Sequence, residues 1–208
     1  MPWEGERLLA RARRAWVARS LDDRALVIPP GIPSELSDDE CRRLGELAAG
    51  KRVLELGTYF GKSTIVMAST AEVVHTVDLH PDAPGHGAML STLPAFLENV
   101  ERYDLRHRVV AHFGFSQLVV PTLPQRWFDL VFLDAQHQRE PVEEDVALVL
   151  PHLREDGVLA FHDYGVPGVE HRGTWDAFGV TEVVDELAAA RGLEVELTRT
   201  LAVLRLGA

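Results

Sequence analysis

Four short segments of this chain place acids, histidines or glycines where apolar runs end, and each could do chemistry. Phe128 to Leu133 is an apolar run broken only by Asp129, and it leads into Asp134-Ala135-Gln136-His137. Gly157 to Phe161 leads into His162-Asp163. Earlier, Val53-Leu54-Glu55-Leu56-Gly57 runs on through Thr58, Tyr59 and Phe60 to Gly61-Lys62-Ser63, and Val73 to Val77 ends in Asp78. A histidine titrating near neutrality can take a proton from a reacting hydroxyl, with a carboxylate to orient its ring. Carboxylates and an imidazole at neighbouring strand ends can equally hold a divalent cation. A single histidine of this kind is more often a packed or capping residue. Two His-Asp combinations at successive strand ends favour function.

The glycine segment reads as a buried strand, a tight turn and a helix N-terminus, the construction that α/β proteins use for nucleotide pockets. The phosphate-binding pattern needs four residues between its first glycine and Gly-Lys-Ser/Thr. Only three separate Gly57 from Gly61, and two of them are aromatic. The dinucleotide pattern Gly-x-Gly fails because residue 59 is Tyr. Asp78 lies 23 positions after Glu55, at the end of the next strand, where a carboxylate can accept both hydroxyls of an unphosphorylated ribose.

Glu55-Leu56-Gly57 with Gly61 resembles the first motif of class I S-adenosylmethionine (SAM) methyltransferases. Phe-Leu-Asp-Ala-x-His, followed by a strand ending in Phe-His-Asp-Tyr, resembles the bacterial small-molecule O-methyltransferases. That subgroup includes the macrocin and sugar O-methyltransferases, of the methyltransferase domain 24 type. The resemblance covers about residues 50–190. It implies a cofactor site of Glu55, Gly57, Thr58, Tyr59, Gly61, Ser63, Asp78, Phe115, Ser116 and Asp134. Many members carry an acid where this chain has Phe115, whose ring is either an adenine stack or core. Metal-binding relatives imply Mg²⁺ or Mn²⁺ on Asp134, His162 and Asp163, although a histidine stands where an oxygen ligand is usual. The metal-free alternative makes His137 or His162 the base, with Asp134 or Asp163 orienting it. The function implied is methyl transfer to a small-molecule hydroxyl. A non-catalytic SAM- or nucleoside-binding protein, a P-loop-like nucleotide hydrolase and a small-molecule hydroxylase are the alternatives.

Positioning these residues takes alternating strands and helices. Strand-like runs fall at 52–56, 73–77, 108–111, 128–133, 157–161, about 193–197 and 201–205. Helical segments fit at 62–70, 92–102, 116–122, 140–152 and 181–191. The pattern predicts a Rossmann-like, doubly wound, seven-stranded and mostly parallel sheet, with an antiparallel C-terminal edge hairpin. Residues 1–50 read as a helical extension, with helices over 3–20 and from Ser37 to about Ala49. It is expected to cap the pocket or form a homodimer contact through Trp3 and Trp16. The resemblance makes residues 51–208 the expected methyltransferase domain. The long segments 79–91 and 164–180, the second with Trp175 and Phe178, are candidate walls for the acceptor.

Twenty-one basic against 32 acidic residues give a net charge of −11, which argues against a nucleic-acid partner. Cys41 is the only cysteine, and no apolar run reaches the ~18 residues of a membrane span. The expectation is a cytoplasmic enzyme without membrane or nucleic-acid partners.

Overall fold

The structure is a computed structural model that describes residues 25–80, 91–166 and 179–207. The helix expected over 3–20 with Trp3 and Trp16, and most of the candidate acceptor walls at 79–91 and 164–180 with Trp175 and Phe178, lie outside the described residues.

Seven strands form one sheet: β1 (Arg52–Leu56), β2 (Val73–Asp78), β3 (Val109–Phe113), β4 (Phe128–Leu133), β5 (Leu153–Phe161), β6 (Glu196–Thr198) and β7 (Leu201–Arg205). Their order is β3-β2-β1-β4-β5-β7-β6. All neighbours are parallel except β5–β7 and β6–β7, so the C-terminal hairpin closes one edge as expected. The order reverses at β1, which pairs with β2 on one side and β4 on the other. A crevice opens beyond the carboxyl ends of strands at such a reversal.

The helices are α1 (Asp38–Ala48), α2 (Lys62–Thr70), α3 (Leu93–Arg102), α4 (Ser116–Val119), α5 (Arg139–Val149) and α6 (Gly179–Arg191). Single 3-10 turns follow α4 and α5, so the segments read as helices over 116–122 and 140–152 each end in a tighter turn. Apolar residues of α1, α2 and α3 (Leu44, Ile65, Met67, Phe96) pack on one face of the sheet. Those of α5 and α6 (Val142, Val146, Val183, Val184) pack on the other. Because both faces are covered, strands such as β1 and β4 are apolar almost throughout, as parallel strands require.

Helix α1 starts with a capping box: the Ser37 side chain accepts from the Glu40 N–H, and Glu40 reaches back to the Ser37 N–H. Its residues Leu44, Leu47 and Ala48 pack in the same buried cluster as Val53 and Leu130 of the sheet. Strand β5 begins at Leu153, four residues before the apolar run, because Arg154, Glu155 and Asp156 are exposed yet still extended. Among the described residues, no helix is long and apolar enough to cross a membrane.

His75 and His112, which show no ligand spacing in sequence, meet on adjacent strands, with Nδ1 of the first 3.1 Å from Nε2 of the second. The His75 ring packs edge-on against Trp127 and Phe128. Burial, then the neighbouring His112, pushes the His75 pKa down to about 4. This pair is packing beneath the sheet edge and does not line the cavity described next.

Candidate functional site

Backbone hydrogen bonds carry the sheet one residue past the strand ends and fix the site. The Gly57 N–H donates to the Val77 carbonyl at 3.0 Å, Asp134 to Leu56 at 2.9 Å, and His162 to Leu133 at 3.1 Å. Gly57, Asp134 and His162 therefore stand side by side on successive strands. Beyond them lies a cavity of about 590 Å³, a size suited to a small molecule and its cofactor.

The turn after β1 is held by its own residues. Gly57 and Gly61 both have positive φ, at 89° and 87°. A Cβ on Gly57 would lie 2.3 Å from the Asp134 carbonyl oxygen, so the glycine lets β1 approach the end of β4. A Cβ on Gly61 would lie 2.7 Å from the fully buried Phe96 ring. Gly57→Ala should therefore cost at least about 2 kcal/mol in urea denaturation, from the left-handed backbone together with a clash against main chain. An unchanged midpoint would refute this account of the turn.

Asp78 does more than the ribose reading foresees. Its Oδ2 accepts from the Thr58 and Tyr59 N–H groups at 2.6 and 2.9 Å, and its Oδ1 from the His80 N–H at 2.6 Å. It staples the turn that carries Tyr59, itself at φ 52°. Oδ2 is thereby filled, and Oδ1 keeps one further acceptor position for a ligand hydroxyl.

Glu55 is fully buried and does not line the cavity. Ser63 Oγ and Thr64 Oγ1 each donate to it at 2.5 Å. Burial pushes its pKa up to about 7, against the lowering effect of the hydroxyls of Ser63, Thr64 and Thr76. Ser63, one of its two donors, does line the cavity. Gly61 likewise stays outside the lining. The other expected cofactor residues, Gly57, Thr58, Tyr59, Ser63, Asp78, Phe115, Ser116 and Asp134, all line it. Phe115 is more than half exposed, and hence is not core. Lys62, Gln117 and Glu144 also line the cavity and escaped the sequence reading.

At the β4 and β5 ends the predicted acids and histidines converge. His137 Nε2 lies 2.7 Å from Asp163 Oδ2 and 3.9 Å from Asp134 Oδ1. His162 Nδ1 lies 3.2 Å from Asp163 Oδ2 and 3.4 Å from Asp134 Oδ1. Asp163 adopts φ 63°, and a non-glycine residue in this region marks a backbone held against its preference. The hydrogen bond to Asp163 raises the His137 pKa above its ordinary value, against burial. Burial alone would lower the His162 pKa, but hydrogen bonds and charge from Asp134 and Asp163 outweigh it and lift it to about 10. The two histidines hold Asp163 well below the usual carboxylate range, against the upward effect of burial.

The donor set Asp134, His162 and Asp163 brings one ligand atom from each within 4.8 Å of the others. Two oxygens and one imidazole nitrogen fit Mn²⁺, Fe²⁺ or Zn²⁺ better than Mg²⁺, which favours oxygen alone. Behind His162, Nε2 faces Thr200 Oγ1 at 3.4 Å and Glu40 Oε1 at 3.9 Å. Glu40 is buried, and hydrogen bonds from Thr200 and Ser37 hold its carboxyl below the ordinary range although burial opposes this.

A doubly wound sheet in this strand order, with a cavity at the β1/β4 reversal and an acid-histidine cluster on its rim, defines a nucleotide-cofactor enzyme of the Rossmann-like class. A model of a methyltransferase-domain family matches residues 54–164, which carry every predicted site residue. A protein of Mycolicibacterium paratuberculosis, provisionally named an O-methyltransferase, is 31% identical over 205 residues, covering 96% of this chain and 82% of that protein. The chain belongs to this family, the class I SAM-dependent methyltransferases. Its fold is shared by the O-methyltransferase TomG of Streptomyces achromogenes, solved in complex with SAM. The TM-score is 0.61 at 19% identity, covering 86% of this chain and 83% of that one. It is also shared by a Bacillus cereus O-methyltransferase in complex with SAH, at TM-score 0.58 and 21% identity, covering 84% of each chain.

Proposed function

We propose that the protein transfers the methyl group of SAM to a hydroxyl oxygen of a small molecule, with His137 as the base. The observation that carries this reading is the short His137–Asp163 contact on the rim of the cavity. Asp163 accepts the Nε2 hydrogen, which leaves Nδ1 of a neutral His137 bare to take a proton. The acceptor O–H gives its proton to Nδ1 as the oxygen attacks the methyl carbon. The carbon–sulfur bond breaks, and the electron pair stays on the sulfur of S-adenosylhomocysteine. The enzyme's contribution is alignment and deprotonation.

Gly57, Thr58, Tyr59, Ser63 and Asp78 would hold the methionine and ribose parts of the cofactor, and Phe115 and Ser116 the adenine. The oxygen acceptor is favoured by the names of the Mycolicibacterium, Streptomyces and Bacillus relatives. Calorimetric titration with S-adenosylhomocysteine, followed by a panel of hydroxylated acceptors with labelled SAM, tests the reading. Binding with no transfer to any acceptor would point to a non-catalytic SAM-binding protein. ATP binding without SAM binding would overturn the cofactor assignment.

A divalent ion held by Asp134, His162 and Asp163 would, when bound, polarise and orient the acceptor oxygen. The mixed donor set leads to an expected order: Mn²⁺ binds more tightly than Mg²⁺, and Asp134→Asn abolishes both. Calorimetry with each metal alone checks it. Mg²⁺ binding the more tightly would contradict the donor argument. No binding of either metal would leave the base mechanism standing by itself.

A further inference from the structure

We propose that Glu40 and Thr200 are positioning residues for His162, and that they fix the hydrogen of its ring on Nε2. The inference rests on the reading of the β4–β5 rim as the reacting end of the site. Glu40 reads in sequence only as an acid in the first turn of the helix that Ser37 caps.

Glu40 is buried, and its carboxylate meets four donor groups. One oxygen, Oε2, takes the N–H and hydroxyl of Ser37 at 2.8 and 2.7 Å. The other, Oε1, takes the N–H and hydroxyl of Thr200 at 2.9 and 2.6 Å, across 160 positions of sequence. An ionised carboxylate can only accept. The single hydroxyl hydrogen of Thr200 is thereby committed to Glu40. What Thr200 Oγ1 shows His162 Nε2, 3.4 Å away, is a lone pair. The hydrogen between them must come from the ring, so Nε2 is the protonated nitrogen.

The consequence falls on the opposite edge of the ring. With Nε2 protonated, a neutral His162 would turn a bare Nδ1 lone pair toward two carboxylate oxygens, 3.2 and 3.4 Å away. That arrangement is repulsive. It becomes attractive only when positive charge sits between Nδ1 and the acids, either as a second ring proton or as a cation shared with Asp134 and Asp163. Carboxylates behind the outer nitrogen of a metal-ligating histidine set the same tautomer. Thr200 also anchors the other side of the acid, because its carbonyl accepts the Tyr164 N–H at 2.9 Å, one residue past Asp163. The α1 cap and the β6–β7 turn thus brace both His162 and the backbone of Asp163 from behind.

A purely structural role, in which Glu40 only ties α1 to the β6–β7 turn, predicts a different result from the same variants. The test is imidazole ¹H–¹⁵N NMR on the full chain, with His162→Gln assigning the signal. The wild type should show a His162 Nε2–H proton that exchanges slowly with water. Thr200→Val, which keeps the side-chain shape, and Glu40→Gln should both lose the slow exchange, and Thr200→Ser should restore it. Ser37→Ala removes the cap and one bond to Glu40 Oε2 but leaves Oε1 and Thr200 in place, and should lower the melting temperature while the His162 Nε2–H signal stays unchanged. A wild-type ring unprotonated at Nε2, or slow exchange retained in folded Thr200→Val, would overturn the proposal. A wild-type ring unprotonated at Nε2 overturns it even where a variant fails to fold. Failure of the methyltransferase reading is seen separately, as absent S-adenosylhomocysteine binding in calorimetry.

Discussion

His137→Gln should lower kcat by about 10²–10⁴-fold, the usual range for removing a positioned general base. SAM affinity should be essentially unchanged, because the substitution leaves the residues assigned to the cofactor intact. The pH profile separates this from a packing defect. The hydrogen bond to Asp163 raises the His137 pKa above 6.5, so the ring is protonated and unable to accept at low pH. The wild-type rate should therefore climb with pH through a value above 6.5 and then level. His137→Gln should erase that limb, leaving a low, flat rate. Asp163→Asn removes the partner that raises the pKa, so its limb should move to lower pH and its plateau should fall. Initial rates for wild type and both variants from pH 5.5 to 9, with an acceptor taken from the panel, would check this. A limb that survives in His137→Gln assigns the proton transfer elsewhere.

The sheet was legible because both of its faces are covered, which makes β1, β4 and the apolar half of β5 uniform hydrophobic runs. Hydropathy could not see the first half of β5. Its Arg154, Glu155 and Asp156 project into solvent, yet main-chain bonds from Arg126 and Trp127 to Pro151 and His152 lead into the strand. The rim residues Asp134, His137, His162 and Asp163 were legible for a topological reason. Parallel strands all finish at one edge, so residues that follow their apolar runs must gather there.

Contacts made across the fold were hidden. Glu40 carries the local pattern of a capping acid, and nothing near it in sequence points to Thr200. The triple backbone capture by Asp78 depends on a turn whose shape appears only once the strands are paired. Glu55 lay within the recognised motif, but its burial under Ser63 and Thr64 could not be read from it. Gly57 and Gly61 are likewise explained by the neighbours they touch, Asp134 and Phe96, more directly than by approach to a ligand.

Glu55 carries the second large expected effect, and its sign is unusual for a carboxylate. Burial, only partly offset by the hydroxyls of Ser63, Thr64 and Thr76, raises its folded pKa from 4.5 to about 7. The folded chain therefore holds a proton that the unfolded chain has already released between those values. Over that window stability falls with rising pH by about 1.4 kcal/mol per unit, about 3 kcal/mol in all, and it is level on either side. Glu55→Gln keeps the shape and cannot ionise. Relative to wild type, the variant should gain about 3 kcal/mol between pH 4.5 and pH 8 in urea denaturation. A difference between the two proteins that stays constant with pH would defeat the assignment. The same buried charge links stability to the cofactor. SAM is cationic at its sulfonium and amino groups, so its binding beside Ser63 should favour the ionised form of Glu55 and release a proton near neutral pH. Titration calorimetry at pH 6.5 in buffers of different ionisation enthalpy should detect that release in wild type and lose it in Glu55→Gln. An acid that weakens the empty fold above pH 7 would then strengthen its hold on the methyl donor.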